Sequence, residues 1–251
     1  MYQFFVEDHQ MVGEYITIEG SDVNHIKNVL RMKQGEVVRI SLSDSGRSYF
    51  GNIEAITEDE VTVHITQEDE DGTELANRIY LFQGLPKGDK MELIIQKAVE
   101  LGVYQITPIA MKNCVVKLDA KKAEAKVKRY QAIAESAAKQ SKRTRIPEVA
   151  MPISFKEAWE KAQSMDVVLV PYENERGMEA TREVLQSIEK GKDIAIFVGP
   201  EGGFATEEIE KVKTVQQETD NVHCISLGRR ILRTETAGLA TLSMLVFCLD
   251  D

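Results

Sequence analysis

The sequence predicts an α/β protein in two parts, a small domain of short strands followed by a larger domain with a mainly parallel sheet. Residues 1–66 contain short β-branched and aromatic runs between turn residues, which indicates strands. From residue 78 onward, strand-like and helix-like segments alternate, and this alternation is typical of a parallel sheet covered by helices on both faces. The acidic stretch 67–77 has few large apolar residues and is predicted to be a linker. We place the two domains at 1–72 and 73–251.

The first domain is predicted to be a small barrel of short strands with one helix. Its clearest strands read EVVRISLS, SYFGNIEAI and VTVHI, with the turns DSGR and TEDE between them. The helix is predicted in SDVNHIKNVLR, with Ser21 as its N-cap. The apolar residues at helical spacing are Val23, Ile26, Val29 and Leu30. Small barrels of this kind often present nucleic acids to a neighbouring catalytic domain.

The second domain begins with the strand RIYLFQG and a helix in KGDKMELIIQKAVELG. The apolar face of that helix is formed by Met91, Ile94, Ile95, Ala98 and Leu101. After the strand QITPI comes a long basic helix at about 119–139, and the later strands DVVLV, IAIFV and HCISL are each followed by a helical pattern. Ligands of such sheets bind beyond the carboxyl ends of the strands, where the loops VPYENE, GPEGG and LGRRILRTETA lie.

The formal net charge of −10 argues against a protein that binds nucleic acid over its whole surface. The charges are segregated along the chain, however. Residues 112–145 carry eleven Lys and Arg against three acids, whereas residues 54–74 carry nine acids and no Lys or Arg. The basic segment can steer a polyanion to one place on an acidic protein, or it can simply be the solvated face of a helix.

Three cysteines, at positions 114, 224 and 248, are widely spaced and form no C-x-x-C pair. This pattern is typical of a reducing cytosol and predicts neither a disulfide framework nor a zinc site, so we expect no metal. The segment MYQFFVEDHQ is acidic and has too short an apolar run for a signal peptide, and LATLSMLVFCL is too short for a membrane span. We therefore expect a soluble cytoplasmic protein without a membrane partner.

The usual nucleotide-binding fingerprints are missing from the loops. Neither G-x-G nor G-x-x-x-x-G-K-[ST] occurs in the sequence. The loop GPEGG instead carries Glu201, which would repel a phosphate. An alternative interpretation makes Glu201 an acid that complements the dipole of the following helix. The glycines of this loop would let the backbone approach a ligand closely.

The loop LGRRILRTETA places the apolar pair Ile231 and Leu232 inside a turn, where polar residues are usual. Such a pair can wall a pocket for a flat hydrophobic group such as adenine, and the three arginines of the loop add positive charge beside it. The alternative is a plain helix start, capped by Thr234, with Glu235 complementing the helix dipole. Capping explains Thr-Glu-Thr, but it does not explain three arginines around an apolar pair.

Five motifs occur in order along the chain: NHIKNVLRMKQGE, LPKGDKMELIIQKAVELGV with NCVVKLD after it, AAKQSKRTRIPEV, VGPEGGF and LGRRILRTETA. Together they resemble the SPOUT methyltransferases, and most closely the ribosomal RNA small-subunit methyltransferase E family, which makes N3-methyluridine in 16S RNA. The resemblance extends over most of the chain. A G-P-x-G turn alone is common, whereas five motifs in sequence are specific.

The resemblance implies a PUA-like β-barrel domain followed by a SPOUT domain with a deep trefoil knot. It also implies a homodimer in which the partner completes each active site. The apolar terminal helix at 236–249 fits a buried interface, with a core helix as the alternative. The implied cofactor is S-adenosyl-L-methionine, and the implied substrate is 16S rRNA, free or in an assembled small subunit. The implied cofactor-binding residues are Val170, Pro171, Gly199, Pro200, Gly202, Leu227, Gly228, Ile231, Leu232 and Thr236.

For the chemistry, our hypothesis is that Arg233 stabilises a uridine anion at its carbonyl oxygens, while Glu235, Glu201 or water receives the N3 proton. N3 lies on the Watson–Crick edge, so the target base must be single-stranded or flipped out. The expected RNA contacts are His25, Arg31, Lys33, Gln140, Arg143 and Arg145.

Two positions of the first domain depart from the family pattern. Gln3 stands near where the family usually has an arginine, and Asn24-His25 stands where it has a histidine pair. His25 is alternatively a helix-surface residue without a role in RNA binding. The alternative function is a non-catalytic RNA-binding ribosome assembly factor, which would bind RNA but no cofactor. The intact GPEGG and LGRRILRTETA loops argue against that alternative.

Overall fold

The structure is a computed structural model that describes residues 1–70, 72–175 and 177–250. Within these ranges, no helix combines the length and the apolar character that crossing a membrane requires. Two separate hydrophobic clusters form the cores of two compact units. Each unit is described below by itself.

The first unit is discontinuous in sequence. It consists of Met1–Glu74 together with Ala138–Ile146, and the second unit consists of Leu75–Ala137 together with Pro147–Asp251. The shorter segment of the first unit thus comes from the part of the chain that we had assigned wholly to the second domain.

A six-stranded sheet forms the first unit. Its strands are β1 (Tyr2–Val6), β2 (Met11–Val12), β3 (Tyr15–Glu19), β4 (Val37–Leu42), β5 (Ser48–Ile56) and β6 (Glu60–Glu68). Their spatial order is β1-β4-β5-β6-β3-β2, with β1 parallel to β4 and the other neighbours antiparallel. Inward side chains such as Phe4, Ile16, Ile40 and Ile53 are almost fully buried in the core. The strands predicted for this part of the chain are confirmed.

The helix predicted at Ser21 has an unexpected form. Helix α1 (Ser21–Asn24) is capped by Gly20, whose φ of 72° suits glycine, so the prediction of Ser21 as the N-cap is wrong. A π-helical turn, His25–Leu30, follows directly. Because a π-helical turn contains more residues than an α-helical one, the 3.6-residue spacing fails there. Val29, which we expected on the apolar face, is 60% exposed as a result.

A buried polar network joins the two segments of the first unit. Gln3 donates from Nε2 to Ser41 Oγ at 3.0 Å and to the backbone oxygen of Arg143 at 2.5 Å. Its Oε1 accepts a hydrogen bond from Arg39 Nη1 at 3.1 Å. Arg39 in turn forms an ion pair with Asp69 at 2.5 Å, with both side chains largely buried. Gln3 is therefore a structural residue at the centre of this network.

The predicted linker 67–77 is partly ordered by the same network. Its first two residues belong to β6, and Asp69 pairs with the buried Arg39. Glu74 accepts hydrogen bonds from the guanidinium of Arg143 and, at 3.0 Å, from the backbone N–H of Thr144. Asp71, also in this stretch, lies outside the described residues. Two of the acids that made the segment look like a solvated linker, Asp69 and Glu74, are in fact partners of buried arginines.

A seven-stranded sheet forms the second unit, and its described pairings are all parallel, as predicted. The strands are β7 (Arg78–Gly84), β8 (Gln105–Ala110), β9 (Glu148–Val149), β10 (Ile153–Ser154), β11 (Val167–Pro171), β12 (Asp193–Val198) and β13 (Val222–Ile225). Their order is β10-β8-β7-β12-β11-β13, and β9 also pairs with β8.

Helices connect these strands and cover the sheet. They are α2 (Lys90–Glu100), α3 (Ala120–Ser141), α4 (Phe155–Ala162), α5 (Glu179–Ser187), α6 (Thr206–Glu218) and α7 (Thr234–Leu249). The predicted apolar residues of α2 are buried, apart from Leu101, which is the C-cap. Phe82 and Phe197, from adjacent strands, stack with ring centroids 4.6 Å apart in the core. Because β11, β12 and β13 are neighbours, the loops that follow them meet at one edge of the sheet.

Candidate active site

A cavity of about 650 Å³ lies at the carboxyl ends of β11, β12 and β13. Its walls come mainly from the three loops that follow these strands, where a ligand is predicted to bind. Arg233 and Glu201, two of the three predicted catalytic residues, also line it. The predicted cofactor-binding residues that line it are Pro171, Gly199, Pro200, Leu227, Gly228, Ile231 and Leu232.

Three other predicted cofactor-binding residues lie outside the cavity wall. Val170 is fully buried in the core of the second unit. A Cβ on Gly202 would lie 3.0 Å from Cβ of Asn113, so this glycine packs against the loop after β8. Thr236 is exposed in the first turn of α7. These three residues were predicted from motif position alone, and motif position does not show which side of a loop faces the ligand.

Close backbone packing fixes the path of the loop after β12. A Cβ on Gly84, at the end of β7, would lie 2.7 Å from the nitrogen of Pro200 and 2.8 Å from its Cδ. The N–H of Gly203 donates to the carbonyl of Pro200 at 2.9 Å, and its φ of +66° closes the turn. Asn113 Nδ2 donates to the carbonyl of Gly202 at 3.0 Å from the other side. Glycine is thus required at positions 84 and 203 by geometry.

Thr234 joins the second and third loops of the cavity. It is the first residue of α7, and the N-cap is Arg233, so the prediction of Thr234 as the N-cap is wrong. Its hydroxyl is turned into the protein, where it donates to the carbonyl of Gly199 at 2.6 Å. The same oxygen accepts a hydrogen bond from Nε2 of the buried Gln83 at 2.9 Å. This hydroxyl does not cap the helix, because its hydrogen bonds are made to Gly199 and Gln83 instead.

Lys90, which no sequence motif indicated as a site residue, lies between two of the predicted catalytic carboxylates. The Nζ of Lys90, the first residue of α2, is 2.8 Å from Oε1 of Glu201 and 3.4 Å from Oε2 of Glu235. The backbone N–H of Lys87 also donates to Glu201 Oε1, at 3.1 Å. The hydrogen bond that Lys90 donates to Glu201 raises the pKa of the Lys90 ammonium, which is therefore protonated at neutral pH.

The surroundings of Glu201 differ from those of an acid at a helix N-terminus. Helix α6 begins only at Thr206, so Glu201 is not an acid of its first turn. Partial burial acts to raise the pKa of the Glu201 carboxyl, but hydrogen bonds from Lys90 and from backbone N–H groups outweigh burial and lower it. Glu201 is therefore an ionised carboxylate whose charge is balanced by Lys90.

Two aromatic side chains complete the wall. Tyr172 follows β11, and Phe204 ends the glycine-rich loop after β12. The Nζ of Lys213 lies 5.1 Å from the centroid of the Tyr172 ring, and this cation–π contact holds the ring from the side of α6. Ile231 lines the cavity yet is 82% exposed, which fits an apolar group placed to cover a ligand. The aromatic residues beside VPYENE and GPEGG were the signal that could have identified this wall.

The loop after β13 adds positive charge at the mouth of the cavity. Arg229, Arg230 and Arg233 all line it and are exposed. Guanidinium groups donate to carbonyl and phosphate oxygens, so this side of the cavity suits a polar, electron-rich partner. No cluster of potential metal ligands occurs in the part of the chain that the structure describes.

Comparison with known proteins agrees with this geometry. Residues 73–246 match the model of the RNA methyltransferase domain family, and residues 18–66 match that of the RNA methyltransferase PUA domain. The chain is 38% identical to the ribosomal RNA small subunit methyltransferase E of Bacillus subtilis (strain 168), over 98% of this chain and 96% of that protein. The chain belongs to the ribosomal RNA small subunit methyltransferase E family.

Other family members agree with this assignment. The protein of that name from Mesomycoplasma hyopneumoniae (strain 232) is 30% identical over the full length of both chains. The structure of the Neisseria gonorrhoeae member, bound to S-adenosyl methionine, superimposes with a TM-score of 0.82 at 30% identity. It covers 100% of this chain and 99% of that one. The SPOUT-type α/β domain preceded by a PUA-like domain is therefore the fold of this family member.

In the PUA-like unit of this family member, the predicted RNA contacts differ in accessibility. His25, Arg31 and Lys33 are exposed on and after the π-helical turn, and Arg31 has a left-handed φ of 55°. Gln140 is also exposed, and Arg145 is half-buried. The prediction that Arg143 contacts RNA is contradicted by the structure, because the guanidinium of Arg143 is buried and paired with Glu74.

Proposed function

We propose that this protein is an S-adenosylmethionine-dependent methyltransferase that modifies N3 of a uridine in the 16S rRNA of the small ribosomal subunit. The observation that supports this most directly is the cavity at the ends of β11, β12 and β13, whose walls carry the family's GPEGG and LGRRILRTETA motifs. Family membership supports the reaction class and the ribosomal RNA substrate. The choice of N3 and of uridine rests on the resemblance stated above.

The cavity fits the proposed cofactor. Its volume of about 650 Å³ is within the range of small-molecule sites. The exposed Ile231 and the neighbouring Leu232 would cover the flat adenine base. The backbone turn at Gly199, which also lines the cavity, would contact the remainder of the cofactor. Lys90, which also lines the cavity, is paired with Glu201, so its charge is balanced within the site. When bound, S-adenosylmethionine supplies a methyl group on a positively charged sulfur.

Within this proposal, Arg233 orients the target uridine and stabilises negative charge on its carbonyl oxygens. Its position supports the role, because it lines the cavity at the N-cap of α7 with an exposed side chain. The N3 proton must leave before the nitrogen can act as a nucleophile. Glu201 is a poor acceptor for it, because the ion pair with Lys90 lowers the pKa of this carboxyl. Glu235 lies farther from the Lys90 ammonium, at 3.4 Å against 2.8 Å for Glu201, so we assign the proton to water or to Glu235.

RNA binding in this proposal uses exposed cationic and polar side chains. In the PUA-like unit these are His25, Arg31 and Lys33, together with Gln140 and the half-buried Arg145. The basic face of α3 would add phosphate contacts, so binding should weaken as salt rises. The uridine must be unpaired or flipped out to expose N3.

Three further properties belong to the same proposal: a trefoil knot in the SPOUT domain, a homodimer, and a cytoplasmic location. The dimer is supported by α7, which is apolar on several faces and leaves Phe247 89% exposed at its end. A helix that is apolar all round is normally buried, so we expect a second copy of the chain to cover its outward face. The cytoplasm is where a substrate in the small ribosomal subunit would be found.

The experiment that tests this proposal has two parts. Titration of purified protein with S-adenosylmethionine in a calorimeter should give saturable binding. Nucleoside analysis of small-subunit RNA from a strain that lacks the protein should show the loss of one N3-methyluridine, restored by the wild-type gene. A protein that binds RNA but gives no heat with S-adenosylmethionine would instead be the assembly factor considered above.

A further inference from the structure

Lys90 connects three separate parts of the active site. It begins α2, while Glu201 belongs to the loop after β12 and Glu235 to the first turn of α7. Its ammonium contacts both carboxylates, at 2.8 Å and 3.4 Å respectively. Lys90 itself lines the cavity. One side chain therefore bridges the two walls that carry the GPEGG and LGRRILRTETA motifs.

The environment of this cluster differs from that of an ordinary surface ion pair. The exposed fractions of the three side chains are 30% for Lys90, 28% for Glu201 and 16% for Glu235. Exposed pairs contribute little because water screens them and because both side chains must be ordered. Here the partners are partly withdrawn from water, and the backbone N–H of Lys87 orders Glu201 further. A single cation placed between two carboxylates also offsets their mutual repulsion.

The same cluster reaches the residue that we assign to the uridine. Glu235 lies two positions after Arg233, within the helix start that Arg233 caps. A displacement of this turn would move the guanidinium as well as the carboxylate. Catalysis by positioning is sensitive to such displacements, and a shift of about 1 Å can cost about a hundredfold in rate.

We propose that Lys90 is a positioning residue of the methyl-transfer site, which holds Glu201 and the first turn of α7 in the arrangement that turnover requires. The proposal rests on the proposed function. It assigns Lys90 no contact with the reacting atoms. It also predicts which kinetic constant changes. Removing the positive charge leaves the negative charges of Glu201 and Glu235 unbalanced, and these still attract the cationic S-adenosylmethionine. The position of Arg233, however, is no longer held.

The test compares neutral and conservative variants in full-length protein. Lys90→Met and Lys90→Gln should lower kcat for methylation of small-subunit RNA by about tenfold or more, with a much smaller change in the Kd for S-adenosylmethionine. Lys90→Arg keeps the charge and should recover a large part of kcat. The matched control is Lys97→Met, which removes a lysine that pairs with Glu100 on the same helix. Thermal unfolding of every variant shows whether it is folded.

A double variant gives an independent readout. If Lys90 acts through Glu201, then Lys90→Met combined with Glu201→Gln should lose no more activity than the more damaging single change. Neutral variants that keep wild-type kcat, or a kcat for Lys90→Arg as low as that of Lys90→Met, would overturn the role of Lys90. A wild-type protein that neither binds the donor nor methylates RNA would instead contradict the proposed function, so the two failures are distinguishable.

Discussion

The hydroxyl of Thr234 donates a hydrogen bond to the carbonyl oxygen of Gly199 at 2.6 Å, and this bond fixes the start of α7 against the end of β12. Thr234 is 6% exposed, and its oxygen also accepts from the fully buried Gln83. Two of the three loops of the cavity therefore depend on one buried hydroxyl.

Thr234→Val tests this dependence, since it keeps the shape of the side chain and removes the hydroxyl. It leaves the carbonyl of the half-buried Gly199 and the amide of the buried Gln83 without this partner, and we expect a loss of about 1–3 kcal/mol in the free energy of unfolding. Urea unfolding measures the change. Thr236→Val alters an exposed hydroxyl of the same helix and should have little effect on stability. Equal stability of the two variants would show that the buried bond contributes nothing.

Gly84→Ala should displace the glycine-rich loop. The added Cβ would lie 2.7 Å from the backbone nitrogen of Pro200, a contact that only movement of the backbone can relieve. Overpacking of this kind costs about 1–3 kcal/mol, and we expect binding of S-adenosylmethionine to weaken with it. Calorimetric titration and urea unfolding measure the two effects. Gly238→Ala, whose Cβ would meet its nearest neighbours at 3.4 Å, should be tolerated because alanine favours a helix.

Arg233→Ala should separate chemistry from cofactor binding. If the guanidinium stabilises charge that develops on uridine, kcat should fall by about a hundredfold or more while the Kd for S-adenosylmethionine stays near the wild-type value. Arg233→Lys keeps the charge but loses the paired donors, and it should recover only part of the rate. Arg182→Ala, an exposed arginine of α5, is the control. Full activity of Arg233→Ala would exclude this role.

Phe247→Asp tests the proposed dimer. Phe247 is 89% exposed at the end of α7, and a charge at a buried interface would be left without solvent. We expect a monomer in size-exclusion chromatography with light scattering, under conditions where the wild type is a dimer. Val12→Asp changes an apolar residue of the first unit that is 75% exposed, and it should not alter the mass. A dimer that survives Phe247→Asp would place the interface away from this end of α7.

The thiol of Cys224 should react slowly with alkylating reagents. Burial raises its pKa to about 11, so little thiolate is present at neutral pH. Because the raised pKa belongs to the folded state, the rate should climb as pH rises from about 9 toward 11, and unfolding should abolish the delay. Mass spectrometry of timed labelling at several pH values measures this, with the exposed Cys248 as an internal comparison. Rapid labelling of Cys224 at pH 7 in folded protein would contradict it.

Periodicity predicted the strands, the parallel sheet and the three loops of the cavity because these depend on neighbouring residues. The failures have long-range causes. Lys90 and Glu201 are 111 positions apart, so no local pattern connects them. Arg143 reads as a free cation in SKRTRIP, but Glu74, from a segment that looks solvated, covers it. The prediction that Val29 lies on the apolar face is wrong for a local reason. A π-helical turn changes the number of residues per turn, and the spacing of apolar residues gives no sign of it.

Translation delivers the two segments of the first unit at different times. A nascent chain that has reached residue 137 holds Gln3 without the backbone oxygen of Arg143 and Glu74 without its guanidinium. The first segment of this unit therefore lacks these bonds until residues 138–146 have been made, whereas amino-terminal domains commonly fold as units before later domains are made. Residues 75–137 of the second unit are made in the interval between these two segments. An expressed fragment that stops at residue 72 would lack the hydrogen bond between Gln3 and the backbone of Arg143 altogether.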